Sequence, residues 1–592
     1  MIATKEIDEK LNKKYLILDK LSKNDIKEKY GEDFNSLLAD LLFVRGVEDK
    51  KDADVFLNPK WEDNFDPFLF NDMEKVVSRI LLAIENKENI LIFSDYDTDG
   101  IPGGVILHDF FKKIEYKKFK NFIPNRNNDG YGLTEKAALK IVEGNIFDND
   151  NFIPDLVITI DCGISDFESG EILSKKKIDL IITDHHIAEK KIPKSVGVLN
   201  HKVKGEKYPE SILSGAGVVF KLVQALILEI KKRNFKLEVE IKDGWEKWLV
   251  DLVAIATVCD MVPLFGENRL FVKYGKIVLE KTKRKGLKKI IEKSRIDKNN
   301  ITSGDIGFMI GPRINAASRL ENPMIAFSAL SENNAKGEES ALELEKLNNR
   351  RKYLTAKIMK NVWSKLKNKP DSQVIVIGDK EWPLGVLGLI AGKIADKMKK
   401  PVFVWSQSKK HDGELKGSCR TGGNKSVYSL MEKNTEDFIN FGGHEVAGGF
   451  SIEESKIHFL EKRLEEVLEE SKELKKEKTI IDAEISLDEV NFENYREIEK
   501  LEPYGIGNQK PHFFFRNIEI FSVKFFGKNN DHLELIFRNS KNQNVKAMIF
   551  YYKDNLKKNE YKEGEKINLI ASFELNSWNN NSYLRLKIED IF

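Results

Sequence analysis

The sequence predicts an α/β protein, with two α/β domains followed by a small C-terminal β-barrel. Short apolar runs without polar alternation, such as residues 90–93, are typical of strands buried on both faces of a parallel sheet. From about residue 76 such strands alternate with helical segments, and a further strand–helix–strand unit follows at residues 374–405. After residue 478 the pattern changes to short strands and polar turns rich in Asn and Lys, which predicts the barrel.

Length and composition indicate several globular domains. A chain of 592 residues is too long for one hydrophobic core, and its 41% hydrophobic residues exclude bulk disorder. Lys plus Arg (97) and Asp plus Glu (95) nearly cancel, so a site for a polyanion must be a local patch. The three cysteines suggest free thiols in a reducing cytoplasm, and we expect a protein that is neither exported nor inserted in a membrane.

The chain divides into six predicted segments. They are an N-terminal cap on the first domain (1–75), the first α/β domain (76–275), a basic connector (276–299), the second α/β domain (300–455), a helical connector (456–477) and the β-barrel domain (478–592). The densest basic run, residues 281–295, is either a solvated helix face or a surface that follows a nucleic-acid backbone. In the last domain five phenylalanines are candidates for the core or for stacking on bases: Phe513, Phe514, Phe515, Phe525 and Phe526.

Acidic side chains follow the first buried strand. Asp95, Asp97 and Asp99 stand at alternate positions, and Gly100 then allows the backbone to turn. The carboxyl ends of strands in such sheets are where ligands bind. Two carboxylates about 4 Å apart repel each other by roughly 4 kcal/mol at an effective dielectric constant near 20. The three therefore either share a cation or extend into water as a solvated acidic loop.

Three further blocks favour the cation. Two more buried strands end in Asp161-Cys-Gly and in Asp184-His185-His186, and a buried helix at 248–258 ends just before Asp260. Oxygen ligands with one or two histidines suit Mn²⁺ or Mg²⁺, whereas a structural zinc site would use cysteines.

These blocks resemble the DHH phosphoesterase superfamily and, within it, the RecJ family of single-strand exonucleases. The resemblance runs from about residue 80 to near the C-terminus. The matching motifs are Asp95-Tyr-Asp-Thr-Asp-Gly100, Ile123-Pro-Asn-Arg126, Gly130-Tyr-Gly132, Asp161-Cys-Gly163, Asp184-His-His186, Leu213-Ser-Gly-Ala-Gly217, Asp260-Met-Val-Pro-Leu264, Gly311-Pro-Arg-Ile-Asn-Ala-Ala317, Gly417-Ser-Cys-Arg420, Gly442-Gly-His444 and Leu501-Glu-Pro-Tyr-Gly505. One such block is weak, but so many in the same order are highly specific.

The resemblance implies a parallel-sheet DHH domain and a smaller DHHA1 domain around a cleft, with a C-terminal domain of the oligonucleotide-binding (OB) type. It also implies a substrate, single-stranded DNA degraded from the 5′ end to 5′-mononucleotides during DNA repair and recombination. A single-strand-binding protein and a helicase are candidate partners. We expect a cytoplasmic monomer without a membrane partner.

The predicted chemistry is two-metal hydrolysis of a phosphodiester. The expected ligands of two divalent cations, Mn²⁺ or Mg²⁺, are Asp95, Asp97, Asp99, Asp161, His185 and Asp260. The expected catalytic residues are Asp97, Asp161, His185 and His186. His186 need not be a ligand and is a candidate for contact with the scissile phosphate.

Phosphate-binding side chains are expected above the metal edge and in the second domain. The candidate substrate-binding residues are Arg126, Arg313, Asn315, Arg319, Ser418, Arg420 and His444. Arginines and a hydroxyl near glycines suit phosphate capture, and we expect Ser418 and Arg420, helped by Arg313, to hold the 5′ end. The alternatives are an ordinary surface arginine at 126 and a structural arginine, paired with a carboxylate, at 420.

Two other functions are compatible with part of this pattern. Enzymes of the superfamily that act on oligoribonucleotides or cyclic dinucleotides end after the second domain, so the C-terminal β segment argues against that class. A non-catalytic replication scaffold would have lost ligands, whereas every expected ligand is present here. One departure from the family pattern remains: Pro383 stands where a histidine usually follows the tryptophan.

Overall fold

The computed structural model describes residues 15–17, 20–126, 129–147, 151–188, 191–210, 212–367, 369–408, 413–474, 478–552, 556, 560–578 and 581–592. The chain forms two compact units. The terminal unit comprises residues 1–64, 263–270 and 477–592, and the central unit comprises residues 65–262 and 271–476. None of the described helices is long and apolar enough to span a membrane.

Strands and helices are numbered along the chain. The strands are β1 Tyr15–Ile17, β2 Ile90–Ser94, β3 Phe119–Phe122, β4 Leu156–Ile160, β5 Asp179–Thr183, β6 Gly197–Leu199, β7 Ile375–Gly378, β8 Val402–Gln407, β9 Glu414–Arg420, β10 Phe438–His444, β11 Ala447–Glu453, β12 Thr479–Ile481, β13 Ala483–Glu484, β14 Phe513–Glu519, β15 Ser522–Phe526, β16 His532–Arg538, β17 Asn544–Ile549, β18 Lys566–Trp578 and β19 Asn581–Ile591. The α-helices are α1 Lys23–Tyr30, α2 Ser36–Val44, α3 Lys50–Leu57, α4 Met73–Asn86, α5 Gly100–Lys113, α6 Glu135–Val142, α7 Phe167–Lys175, α8 Gly215–Lys232, α9 Val250–Cys259, α10 Gly266–Glu280, α11 Lys285–Lys293, α12 Ser303–Asp305, α13 Gly311–Leu320, α14 Met324–Ser331, α15 Ala335–Lys367, α16 Leu387–Met398, α17 Val427–Glu432, α18 Ile457–Glu466 and α19 Phe492–Glu499.

The first sheet of the central unit is parallel throughout, as predicted. Its strand order is β3-β2-β4-β5-β6, and every residue of β2 and β4 is buried. Ser94 pairs with Ile160, and Ile160 pairs with Thr183, so three strands end at the same level. The loops that follow these strands, which carry the acidic motifs, therefore meet at one edge of the sheet.

The second sheet of the central unit is mixed, with strand order β10-β11-β9-β8-β7. Only β7 and β8 run parallel, with helix α16 between them, as the strand–helix–strand pattern predicted. Helix α18 lies in the predicted connector 456–477, yet its apolar side chains Ile457, Leu460 and Leu464 pack into the core of this sheet with Phe403. The apolar stripe of α18 thus covers a sheet face and makes the helix part of the second domain.

Helix α11 accounts for much of the basic run 281–295. Its side chains Leu287, Ile290 and Ile291 are buried, and it packs on α15. Lysines occupy most of the remaining positions of the helix, which is the solvated-face alternative of the sequence analysis. Binding of nucleic acid to those lysines stays a prediction.

The terminal unit contains a seven-stranded sheet with order β13-β14-β18-β19-β17-β16-β15. Phe513, Phe514 and Phe515 are fully buried, Phe525 is exposed and Phe526 is half-buried. The core of this sheet also includes residues of α1, α2 and α3. The predicted segment 1–75 thus needs correction, because α1, α2 and α3 share a core with the C-terminal strands, whereas residues 65–75 belong to the central unit.

Candidate metal centre

The loop after β2 is held in place by backbone N–H groups. The N–H groups of Asp99 and Gly100 donate to Asp97 Oδ1 over 2.7 and 3.1 Å. Those of Gly215 and Ala216, in the first turn of α8, donate to the carboxylate of Asp99 over 2.6 and 2.8 Å. The start of a helix stabilises negative charge, so α8 fixes the position of Asp99 at the sheet edge.

Asp161 approaches the same point from the end of β4. Its φ of 59° places it in the left-handed region, which is unusual for a residue with a side chain. A Cβ atom on Gly215 would lie only 2.6 Å from Asp161 Cβ, so α8 can come this close only with glycine at its first position. Asp161 Oδ1 is 3.1 Å from His185 Nε2. This places the carboxylate at the centre of the cluster.

Asp184 orients the two histidines that follow it. Its Oδ1 accepts the N–H groups of His185 (2.7 Å) and His186 (3.1 Å), and it lies 2.7 Å from His186 Nδ1. Its other oxygen accepts the N–H of Ile164. Through these hydrogen bonds Asp184 fixes the orientation of His186. The sequence analysis did not predict this role, although Asp184 is the first residue of the Asp-His-His motif.

The predicted ligands meet in one place. Three overlapping groups have ligand atoms within 4.8 Å of one another: Asp95, Asp97 and Asp161; Asp99, His185 and Asp260; and Asp161, His185 and His186. Asp95 Oδ1 and Asp161 Oδ1 are buried without a hydrogen bond to any residue that the structure describes. Buried, unsatisfied carboxylate oxygens are costly unless they are protonated or bind a cation, so the donor set fits divalent metal ions.

Burial and mutual repulsion shift the pKa values of the cluster. Burial, reinforced by neighbouring carboxylates, raises the pKa of Asp95 and Asp161 well above the usual value. The same causes raise the pKa of Asp99 to about 7 and that of Asp260 to about 8. Burial lowers the pKa of His185 to about 3, which keeps its imidazole neutral as a metal ligand must be.

His186 differs from its neighbour. Burial opposes its protonation, but the hydrogen bond to Asp184 and the nearby carboxylates outweigh that effect and raise its pKa. Its Nε2 lies 3.4 Å from the hydroxyl of Tyr131, which the sequence analysis noted only as part of a glycine motif. The imidazole thus has Nδ1 fixed by Asp184, and the Tyr131 hydroxyl lies about equally far from both ring nitrogens, at 3.5 and 3.4 Å.

The predicted phosphate-binding residues fall into two groups. Ser418, Arg420 and Arg319 form what we call the arginine pocket. Arg420 Nη1 donates to Ser418 Oγ over 3.1 Å and to the Cys419 carbonyl over 2.7 Å. Arg319 Nη1 donates to the carbonyl of Gly385 over 3.2 Å. Neither arginine is paired with a carboxylate of the described chain, so the pocket carries uncompensated positive charge.

Arg126 and Arg319 extend this positive charge towards the cluster. The exposed Arg126 guanidinium lies 5.5 Å above the ring of Tyr96. Burial lowers the pKa of Arg319 to about 10, and repulsion from Arg126, Arg351 and Arg420 adds to the effect. Cations that repel each other at a partly buried site favour an anionic ligand.

Arg313 and Asn315 are placed differently. Arg313 is buried, and its Nε donates to Glu345 Oε2 over 2.5 Å while its Nη1 donates to the Met309 carbonyl over 2.7 Å. Its charge is therefore matched within the protein, the arrangement that the sequence analysis had considered for Arg420. Asn315 is half-buried on the same helix, α13.

His444 lies at the end of β10 and is exposed. Together with His186, Tyr131 and Phe441 it lines a cleft of ≈ 890 Å³. The cleft lies between the two sheets of the central unit, and His186 belongs both to its lining and to the candidate metal centre.

Family models match three parts of the chain. They are the DHH family, N-terminal domain (residues 89–257), the DHHA1 domain (371–477) and the RecJ OB domain (481–590). The Bacillus subtilis protein named single-stranded-DNA-specific exonuclease RecJ is 31% identical over 565 residues, which cover 94% of this chain and 67% of that protein. The chain belongs to the RecJ family.

Solved structures agree with the RecJ fold. RecJ from Thermus thermophilus in complex with Mn²⁺ aligns with a TM-score of 0.79 and 23% identity, covering 98% of this chain and 79% of that one. An exonuclease RecJ bound to manganese aligns with a TM-score of 0.57 and 27% identity, covering 68% of this chain and 95% of that one. The seven-stranded sheet is thus the OB-type domain of a RecJ protein.

Pro383 departs from the RecJ pattern. Its carbonyl accepts the N–H of Val386 over 3.2 Å and begins the 3₁₀ turn Leu384–Val386, which leads into α16. The preceding Trp382 is buried. In this RecJ protein Pro383 therefore begins the turn that leads into α16, the helix that contacts Ser418 and Arg420 through Gly388.

Proposed function

We propose that this chain is a single-stranded-DNA-specific exonuclease that removes nucleotides from the 5′ end as 5′-mononucleotides. The observation that carries the proposal is the convergence of candidate ligands from four separate blocks of the chain in one cluster, whose Asp97 interacts electrostatically with Arg319 of the arginine pocket. The name of the Bacillus subtilis relative supports the same substrate.

Two divalent cations, Mn²⁺ or Mg²⁺, are the cofactors that the donor set fits. Asp95, Asp97 and Asp161 would hold one, and Asp99, His185 and Asp260 the other. When bound, such cations supply Lewis acidity that activates water and stabilises charge on the phosphoryl oxygens. The relative described as bound to manganese supports this choice.

The protein's own residues position the scissile phosphate. Asp184 fixes the ring of His186 through Nδ1, so that Nε2 is the atom that can donate to a phosphoryl oxygen. The hydroxyl of Tyr131 lies within 3.5 Å of both ring nitrogens of His186 and so packs against the imidazole. His444, across the cleft, is placed to contact the terminal nucleoside.

The arginine pocket would make the enzyme start at the 5′ end of the strand. A site that only cut phosphodiesters would need no second anion site, whereas an enzyme that recognises an end does. Ser418 and Arg420 would hold the 5′ phosphate, with Arg319 and Arg126 between them and the cluster. Arg313, which is paired with Glu345, would stabilise helix α13 and would not bind the 5′ phosphate.

The biological setting follows from the family as a further part of the proposal. We expect a cytoplasmic monomer that acts in DNA repair and recombination, with a single-strand-binding protein and a helicase as candidate partners. These expectations rest on resemblance alone.

A nuclease assay tests the proposal. Single- and double-stranded DNA and RNA of one sequence, labelled at either end, are incubated with Mn²⁺ or Mg²⁺. We expect mononucleotides from single-stranded DNA only, with the 5′ label released first. A short oligoribonucleotide and a cyclic dinucleotide are assayed beside them. Preferential cleavage of either would support the small-substrate alternative, and no cleavage with either metal would support the scaffold.

A further inference from the structure

A groove continues from the arginine pocket between helices α15 and α16. It has a volume of ≈ 610 Å³ and is lined by Arg319 and Arg420 and, further along, by Arg351, Lys352 and Lys393. A Cβ atom on Gly388 would lie 3.0 Å from Arg420 Nη2, so Gly388 marks the point on α16 that is in contact with the arginine pocket. Lys393 is five residues on, or about 7.5 Å further along the helix axis.

The groove carries unmatched positive charge. None of its five cations forms a salt bridge with a carboxylate in the part of the chain that the structure describes, and Asp396 is the one acid in the lining. On α15 itself, Glu345 pairs with Arg313 and Arg350 pairs with Glu321, so the groove cations differ from these paired neighbours. An anion is therefore the ligand that would balance this groove.

The groove also offers space, and the guanidinium of Arg351 that lines it is only partly hydrogen-bonded. Nothing lies within 4 Å of the point where a Cβ atom on Gly392 would stand, so the wall formed by α16 stays open beyond Gly388. Arg351 Nη2 donates to Asn348 Oδ1 over 2.9 Å, but its buried Nε has no hydrogen bond to any described residue. A guanidinium held in this way can donate to a further anionic group.

We propose that the groove receives the second and third phosphoryl groups of a strand whose 5′ end is a triphosphate. The inference rests on the proposed function of the arginine pocket, where Ser418 and Arg420 hold the first phosphoryl group. A monophosphate needs only that pocket, whereas a triphosphate extends towards Arg351, Lys352 and Lys393.

The reaction is the same hydrolysis with a different first product. Water adds its oxygen to the phosphorus of the first internucleotide phosphodiester, and the bond from that phosphorus to the 3′ oxygen of the terminal nucleotide breaks. The 3′ oxygen takes up a proton. The product is a nucleoside 5′-triphosphate, and the shortened strand keeps a 5′ monophosphate.

The test uses the full-length protein and single-stranded DNA of one sequence, labelled in the base of its 5′-terminal nucleotide, with a 5′ hydroxyl, monophosphate or triphosphate. We expect kcat/KM for the triphosphate strand to equal or exceed that for the monophosphate strand, with a nucleoside triphosphate as first product. Lys352→Ala and Lys393→Ala should each lower the triphosphate-to-monophosphate ratio by about three- to ten-fold. Lys357→Ala is the matched control, because this exposed lysine of α15 lies outside the groove.

Binding measurements remove the effect of metal chelation by the triphosphate. The same strands are titrated into the Asp161→Ala protein with EDTA, and the same order of affinities is expected. Triphosphate strands that bind and react about ten-fold worse than monophosphate strands would overturn the groove assignment and leave the pocket intact. An identical triphosphate-to-monophosphate ratio of kcat/KM for Lys393→Ala and Lys357→Ala would have the same meaning. An original protein that does not distinguish monophosphate from hydroxyl would overturn the pocket, and the groove with it.

Discussion

At the residue scale, Asp161 belongs to two of the three overlapping ligand groups. Asp161→Ala should therefore reduce hydrolysis of single-stranded DNA by roughly a thousand-fold or more, since it removes a carboxylate that would hold one cation and that lies beside His185, a residue that would hold the other. The fold should survive, because the change removes a buried carboxylate whose charge the neighbouring aspartates repel. Activity is measured with Mn²⁺, and melting temperature is measured with and without it.

The melting experiment separates the metal role from a structural one. Mn²⁺ should raise the melting temperature of the original protein by linkage, and much less that of Asp161→Ala. Asp179→Ala is a suitable control, because this carboxylate lies at the opposite end of β5 and pairs with Arg79. Unchanged hydrolysis by Asp161→Ala would remove the two-metal assignment.

Arg420 tests recognition of the 5′ end. Arg420→Ala should lower kcat/KM for 5′-phosphorylated strands by about ten- to a hundred-fold, towards the value for 5′-hydroxyl strands, because one charge-assisted contact is worth roughly 1.5–3 kcal/mol. Arg350→Ala, which removes an exposed arginine paired with Glu321, should leave the preference unchanged. Equal losses on both substrates would make Arg420 a support of the fold or a general DNA contact.

The site residues could be predicted to different degrees. The meeting of the acidic side chains could be predicted because strand ends are visible as apolar runs, and Asp95, Asp161 and Asp184 each follow a strand directly. Their role as metal ligands stays a prediction. The pairing of Arg313 was not, because its partner Glu345 stands on another helix, 32 residues away. A motif specifies residue types, whereas a salt bridge depends on which helices pack together.

At the element scale, helix α5 begins at the candidate metal centre with Gly100 and carries a buried histidine, His108, whose protonation affects the stability of the fold. His108 of this helix packs its ring against Phe119 and Phe327, with centroids 5.3 Å away in both cases, and accepts a hydrogen bond from Asn121 Nδ2 over 2.8 Å. Burial, reinforced by Lys112, lowers the pKa of His108 to about 4. The neutral imidazole is therefore the form that the folded state accepts.

Acid should destabilise the central unit through this histidine. Its folded-state pKa lies below the ordinary value near 6.5, so the unfolded chain binds the extra proton first. The stabilising contribution is complete above about pH 6.5 and is lost as the pH falls towards 4, by up to roughly 3 kcal/mol. His108→Gln should be destabilising at pH 7.5, and its deficit in urea midpoint should shrink by pH 5. A deficit that is the same at both values would contradict the assignment.

Elements were predictable where their pattern is local. The strand–helix–strand unit of β7, α16 and β8 has the predicted order and orientation, because period and apolar content mark each element. The partner of α18 was not predictable, since an amphipathic helix between two domains has the same local pattern whether it links them or covers a sheet. Its leucines pack against the nearest open sheet face.

At the scale of the whole molecule, the two ends of the chain build one unit. Leu38 and Leu41 of α2 share a core with Phe513 and Leu535 of the C-terminal sheet, and Arg45 Nη1 is 2.9 Å from Asp482 Oδ1. A local sequence pattern cannot reveal this arrangement, because the two segments lie more than four hundred residues apart along the chain. The terminal helices should therefore fold together with the OB-type domain.

Two truncations make this dependence measurable and test the DNA-binding role of the OB-type domain. A protein ending at residue 476 keeps the N-terminal helices without their core, and burial of each leucine is worth about 1.5–3 kcal/mol, so we expect aggregation. A protein limited to residues 65–476 retains only the short segment 263–270 of the terminal unit, so we expect it to be soluble and still to cleave short oligonucleotides. It should bind long single strands less tightly than the full chain, with a shallower dependence of log affinity on log salt, because fewer phosphates are neutralised. Equal affinity and equal salt dependence for the full chain and residues 65–476 would show that the OB-type domain does not bind the strand.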